Sequence, residues 1–145
     1  MTYSPAGLEM TKFFEGCRLK AYQDQGGVWT IGFGHTAGVK EGDTCTQEQA
    51  EEWLKDELER ASDFVCNSLD VELTQGQLDA LTDFVYNLGP RAFKYSTLRS
   101  LIQSGQMERA AEEFLRCNHV NGKVVAGLTR RREAEKAMFE GRGWR

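Results

Sequence analysis

Residues Phe14–Thr36 read FEGCRLKAYQDQGGVWTIGFGHT, and three polar side chains within them stand at intervals that call for an explanation. Eight residues separate Glu15 from Asp24, and five separate Asp24 from Thr30. The stretch opens on a helix end. Ser4 can cap that helix, Pro5 can start it, Leu8, Met10, Phe13 and Phe14 supply its apolar face, and Gly16 can end it in a left-handed cap. Glu15 then sits in the last turn, where the carbonyl end of the helix dipole disfavours negative charge. With aromatic neighbours, that placement raises its pKa and favours the protonated form. Next, LKAYQD and VWTIGFGH alternate apolar and polar residues on either side of QGG, which predicts a hairpin. Asp24 falls at its first bend, and Thr30 on the returning strand, where a period of two can aim both side chains to one side. Gly32 and Gly34 allow close approach of backbone or ligand.

Beyond this stretch the pattern is helical. Thr46 opens TQEQ and Thr74 opens TQGQ, each with a Gln three residues on to complete a capping box. The first leads a long segment with Ala50, Trp53, Leu54, Leu58, Ala61, Val65 and Leu69 at a three-to-four spacing. The second, with Leu78, Leu81, Phe84, Val85 and Leu88, is apolar almost all round and stops at Gly89 and Pro90, as a buried central helix would. Shorter helices are expected at about Ser96 to Gln103 and Gln106 to Arg116. A turn at Asn121 and Gly122 follows, and Thr129 is expected to cap a last helix containing RRREAEKAMF. The expected fold class is α+β and mostly helical: a small hairpin lobe joined by the long helix to a helical lobe, with a ligand cleft between them.

At 145 residues the chain can bury a real core, on the order of 68–70% of the surface its unfolded form exposes. An apolar share of 40% and a charged share of 28% belong to a globular protein rather than a disordered one. The start, MTYSPAGLEMTKFFEG, lacks the marks of a secretory signal, and no apolar run is long enough for a membrane span. A product made in the cytoplasm, without stable membrane insertion, is expected. Cys17, Cys45, Cys66 and Cys117 stand far apart with no C-x-x-C pair and only two histidines to assist, so no metal or other cofactor is expected and the thiols are read as reduced. Net charge is −4, yet from Lys123 onward seven Lys or Arg face three Asp or Glu. That basic end fits an anionic partner such as nucleic acid or cell wall, or else RRREAEK is the solvated face of a final helix.

Two carboxylates in unlike surroundings are what glycosidic bond hydrolysis requires. One is protonated and donates to the leaving oxygen; the other stays ionised and acts on water or on positive charge at the sugar carbon. Glu15 suits the first role and Asp24 the second. The spacing E, eight residues, D, five residues, T, continuing as TIGFGHT, resembles the phage-type lysozymes (endolysins) of glycoside hydrolase family 24. FEGCRLKAYQD, WTIGFGHT, LTQGQLDALTDFVYNLG and GLTRRREAE are similar to that family's recurrent blocks, in the same order and over most of the chain.

The resemblance implies one lysozyme-like catalytic domain over residues 1–145, with a hairpin lobe at about 16–45 and a helical lobe at about 70–145 plus the N-terminal helix. It implies muramidase activity on peptidoglycan glycan strands, cutting between N-acetylmuramic acid and N-acetylglucosamine for host cell lysis. Glu15 would be the general acid, Asp24 the second carboxylate, and Thr30 the holder of the attacking water. The stereochemistry would be inverting, with the two carboxyl groups roughly 6.5–9.5 Å apart. His35 would be a structural histidine paired with Glu57, or with Asp56, rather than a base. Tyr86 is either a cleft residue for a sugar face or core. Arg131, or Arg130, would approach the acid. A monomer acting on the wall after a holin permeabilises the membrane is the expected cellular context.

Other classes remain to be set against this reading. A peptidoglycan-binding module without catalysis would not need Glu15, Asp24 and Thr30 together. A lytic transglycosylase cuts the same bond with one essential acid, so Asp24 and Thr30 speak against it. A nucleic-acid-binding helical protein is disfavoured by the acidic balance. That balance also departs from cationic lysozymes, and Cys17, two residues from Glu15, raises the possibility of redox control.

Overall fold

The computed structural model describes residues 1–120 and 122–145. Helix α1 (Pro5–Glu15) begins where Ser4 accepts the Gly7 N–H and ends at Gly16, whose N–H donates to the Lys12 carbonyl. Gly16 has φ 64° and ψ 166°, so it takes the positive φ expected of a glycine stop but leaves the helix extended rather than left-handed. Strands β1 (Arg18–Gln23) and β2 (Trp29–Gly32) pair antiparallel, with Tyr22 opposite Thr30 and a bulge between Arg18 and Tyr22. A third stretch joins at the Lys20–Thr44 bridge.

Helix α2 (Gln47–Ser68) crosses from this hairpin to the remaining helices. Thr46 accepts the Gln49 N–H at its start. Helix α3 (Gln75–Leu88) starts with both halves of a capping box between Thr74 and Gln77, and ends at Gly89. The sequence reading passed over the short α4 (Pro90–Lys94), which follows at once. Helices α5 (Thr97–Gln103) and α6 (Met107–Glu113), the latter extended by a 3-10 turn at Phe114–Arg116, agree with expectation. The two-residue strands β3 (His119–Val120) and β4 (Lys123–Val124) lead to α7 (Ala126–Phe139). Of the turn expected at Asn121 and Gly122, Asn121 lies outside the described residues.

Three expectations do not hold. Thr129 does not cap α7: the helix starts at Ala126 with Val125 in the cap position, four residues earlier, and the Thr129 hydroxyl donates to the Val125 carbonyl from inside the helix. Nor is RRREAEK a solvated face, since Arg131, Arg132 and Glu135 are buried, leaving Arg130 and Glu133 exposed. Phe13, expected on the apolar face of α1, is 60% exposed and leans on Trp144.

The larger core gathers around α3, where Leu78, Leu81 and Phe84 meet Met10, Phe93, Ile102, Phe114 and Phe139. The smaller consists of Phe33, Ala50, Leu54 and Leu58, with Leu8, Cys17, Cys45 and Tyr86 packed against it. Each large apolar side chain fully buried in this way contributes about 1.5–3 kcal/mol relative to exposure. Because α2 belongs to both clusters, its two ends are fixed to different cores. None of the helices is long and apolar enough to cross a membrane, among the described residues.

Candidate active site

Glu15 reaches its place because α1 packs on α3 and ends at the mouth of a cavity of about 570 Å³. Glu57 from α2 and Tyr86 and Asn87 from α3 line the same space, together with Gly34, Arg60 and Phe64. Gly34 sits in a tight turn closed by reciprocal backbone bonds of 2.9 Å between Ile31 and His35. A β-carbon on Gly34 would lie 2.7 Å from Glu15 Oε1, and its φ is +88°. Only glycine lets this turn touch the carboxylate.

On the other side Glu15 Oε2 accepts a 2.8 Å hydrogen bond from Arg131 Nη1. Arg131 is therefore the arginine at this carboxylate, while Arg130 is exposed. Two further donors of the guanidinium go to Asp83, Nε at 2.9 Å and Nη2 at 2.8 Å, and Asp83 also accepts the Thr11 hydroxyl at 2.7 Å. Burial raises the pKa of Glu15, and it outweighs the opposing attraction of Arg131. The sequence reading credited the rise to the helix dipole and aromatics; desolvation is its main cause here. Burial acts on Asp83 as well, but Arg131 and the surrounding hydrogen bonds more than reverse it and hold that carboxyl far below the usual carboxylate range.

Asp24 and Thr30 lie across the hairpin, outside the lining of that cavity. Asp24 Oδ1 accepts the N–H groups of Gly26 and Val28, both at 2.9 Å, and among the described residues Oδ2 accepts none. The Thr30 hydroxyl donates to the Val28 carbonyl at 3.0 Å, which leaves its oxygen free to accept. The two side chains thus hold opposite ends of one residue, Val28. Tyr22 stands opposite Thr30 and shares its face, while Asp24 lies one residue past β1 and donates its N–H to the Val28 carbonyl. Asp24 is exposed and Thr30 is buried.

His35 Nδ1 lies 2.5 Å from Glu57 Oε1, and its ring stacks on Trp53 at 4.2 Å and 6°. Glu57, rather than Asp56, is the partner. Tyr86 is half-buried, and its hydroxyl donates to the Phe33 carbonyl at 2.6 Å. It both lines the cavity and packs on the smaller core. Burial first, then the nearby Glu57 and Glu15, push its phenol well above the ordinary value.

The sequence reading missed Thr11, Asp83, Arg132 and Glu135. Arg132 donates to Asn87 Oδ1 at 2.6 Å and to Glu135 Oε2 at 3.1 Å. Its Nε is 2.9 Å from Glu135 Oε1 but out of line for a hydrogen bond. The signal was present in LDALTDF, where an aspartate in an otherwise apolar helix implies a buried partner.

The family model described as phage lysozyme matches residues 12–135. An endolysin of Acyrthosiphon pisum secondary endosymbiont phage 1 is 43% identical over 144 residues, covering 97% of this chain and 99% of that protein. An endolysin of Bacillus phage B103 is 42% identical over 142 residues and 96% of this chain, which spans only 54% of its length. Among solved structures, the muramidase domain of SpmX from Asticaccaulis excentricus superposes with a TM-score of 0.88 at 38% identity, covering 95% of this chain and 97% of that one. Matched in sequence over nearly its whole length and in fold, the chain belongs to the phage lysozyme family.

Proposed function

We infer that the chain is a peptidoglycan-hydrolysing lytic enzyme of the muramidase type, acting in host cell lysis. The bond cut is the β-1,4 link between N-acetylmuramic acid and N-acetylglucosamine, and the reaction follows the inverting course of glycoside hydrolase family 24. Glu15 donates its proton to the leaving oxygen. Asp24 and Thr30 act from the hairpin, Thr30 accepting a hydrogen bond from the attacking water and Asp24 offering its free Oδ2 to that water or to the developing positive charge. Tyr86 and Arg131 bound the sugar site, while the His35–Glu57 pair holds the turn that carries Gly34.

One observation carries this reading. Glu15 is a carboxyl only 18% exposed at a cavity wall, raised in pKa by burial and yet directed by an arginine. An acid that must hold a proton at working pH and release it in the transition state needs that combination. The chain works as a monomer, and a separate membrane-permeabilising protein gives it access to the wall. Digestion of purified peptidoglycan followed by analysis of the products tests the reaction. Muropeptides with reducing ends are expected; anhydro-muramyl ends would mean transglycosylation, and no release would leave only binding.

A further inference from the structure

Three carboxyl groups and two guanidinium groups meet where α1, α3 and α7 pack together: Glu15, Asp83, Glu135, Arg131 and Arg132. The mechanism above uses Glu15 and places Arg131 beside it, and it leaves the other three without a task. The division of Arg131 between its two acids gives one of them a task. Asp83 takes two donors of the fork, Nε and Nη2, and Glu15 takes the single remaining contact through Nη1. Asp83 has no exposed side-chain surface and is held by the Thr11 hydroxyl as well.

A general acid beside an arginine faces a conflict. A guanidinium within hydrogen-bond distance lowers a carboxyl pKa by about one to three units, which would strip Glu15 of the proton it must donate. The same guanidinium is needed to aim the carboxyl. An anion on the far side of the arginine resolves both demands, because it cancels the field and fixes the orientation through the planar fork.

We propose that Asp83 is a positioning residue for Glu15: its bidentate hold on Arg131 aims the guanidinium at Glu15 while neutralising it, so that Glu15 keeps its proton. Asp83 stays ionised in the fold, and its charge adds to the burial that raises Glu15. Glu57 on α2 acts on Glu15 in the same sense as Asp83, and Tyr86 on α3 and Tyr22 on β1 stay neutral in the working range. Thr11 on α1 donates to Asp83. Glu135 on α7 is pushed strongly towards its neutral form by burial first, against the pull of Arg132, and the charge of Asp83 adds to that rise.

This proposal rests on the reading of Glu15 as the acid, but its test does not depend on activity alone. In Asp83→Asn the titration of Glu15, followed by NMR of the side-chain carboxyl, is expected to move down by at least about one pH unit. The alkaline limb of the rate on purified peptidoglycan should move with it, so that on that limb the rate falls about tenfold while the acid side is kept. A uniform loss of rate with both midpoints unmoved, or an upward shift, overturns the proposal. Should Asp83→Asn fail to fold, Thr11→Val decides, since it loosens the hold on Asp83 without removing the charge: a smaller downward shift of Glu15 supports the assignment, and no shift overturns it. A titration shift in a protein that releases nothing from peptidoglycan would uphold Asp83 and refute the hydrolase reading instead.

Discussion

Gly34 and Arg131 grip Glu15 from opposite sides, and each grip gives an outcome that can be measured. In Gly34→Ala the new methyl would stand 2.7 Å from Glu15 Oε1 in backbone with φ +88°, so either the turn or the carboxylate must move. We expect a stability loss on the order of 1–3 kcal/mol from the strained backbone, read by denaturant unfolding, together with a fall in peptidoglycan release larger than that loss explains. Arg131→Ala strands Asp83 as a buried, unpaired charge, which costs about 3–5 kcal/mol in comparable cases. A clear drop in melting temperature and a lower rate per folded molecule are expected; an unchanged rate would remove Arg131 from the site.

Helix starts separate true caps from apparent ones. Thr74 satisfies the Gln77 N–H and is repaid by the Gln77 side chain, whereas Thr129 bonds to a carbonyl within an established helix. Thr74→Ala should therefore cost about 0.5–2 kcal/mol, and Thr129→Ala distinctly less, as compared by chemical denaturation of the two variants. The sequence showed the helices well where a cap, an apolar stripe and a glycine stop agreed, as in α1 and α3, and where a cap and a long stripe agreed, as in α2. It misled at α7, because a threonine ahead of a charged run looks the same whether or not the helix has already begun. It was silent on α4, whose five residues hold no period and whose start is concealed by the glycine that ends α3.

At the scale of the molecule, the candidate site joins one helix end, one hairpin and three further helices, and only part of that was legible beforehand. Glu15, Asp24 and Thr30 stood out because they lie within sixteen residues and one of them breaks a local electrostatic rule. Arg132 and Glu135 did not, because charged residues at helical spacing look solvated until a third element is packed over them, and Asp83, although out of place in an apolar helix, has nothing local to name its partner. Thr11, Asp83 and Arg131 come from three helices, and no local pattern links them. The cost of the site should also appear in global stability. Glu15 is raised in pKa by the fold, so the stability linked to its protonation is fully present below its unfolded value and is lost as pH rises through the folded one. Asp83 is lowered, so its contribution is present above its unfolded value and is lost only as acid approaches the folded one. Glu15→Gln should hence melt higher than the parent at neutral pH, and the difference should close once pH falls below about 4.3, the ordinary glutamate value.

That same variant gives the most direct test of the catalytic assignment. Glu15→Gln keeps the shape of the side chain and removes only the proton it donates, so circular dichroism should show an intact fold while release of reducing-end muropeptides from purified peptidoglycan falls by at least about a hundredfold, the lower range for loss of general acid catalysis. Full activity in a correctly folded Glu15→Gln protein would contradict the assignment of Glu15 as the acid.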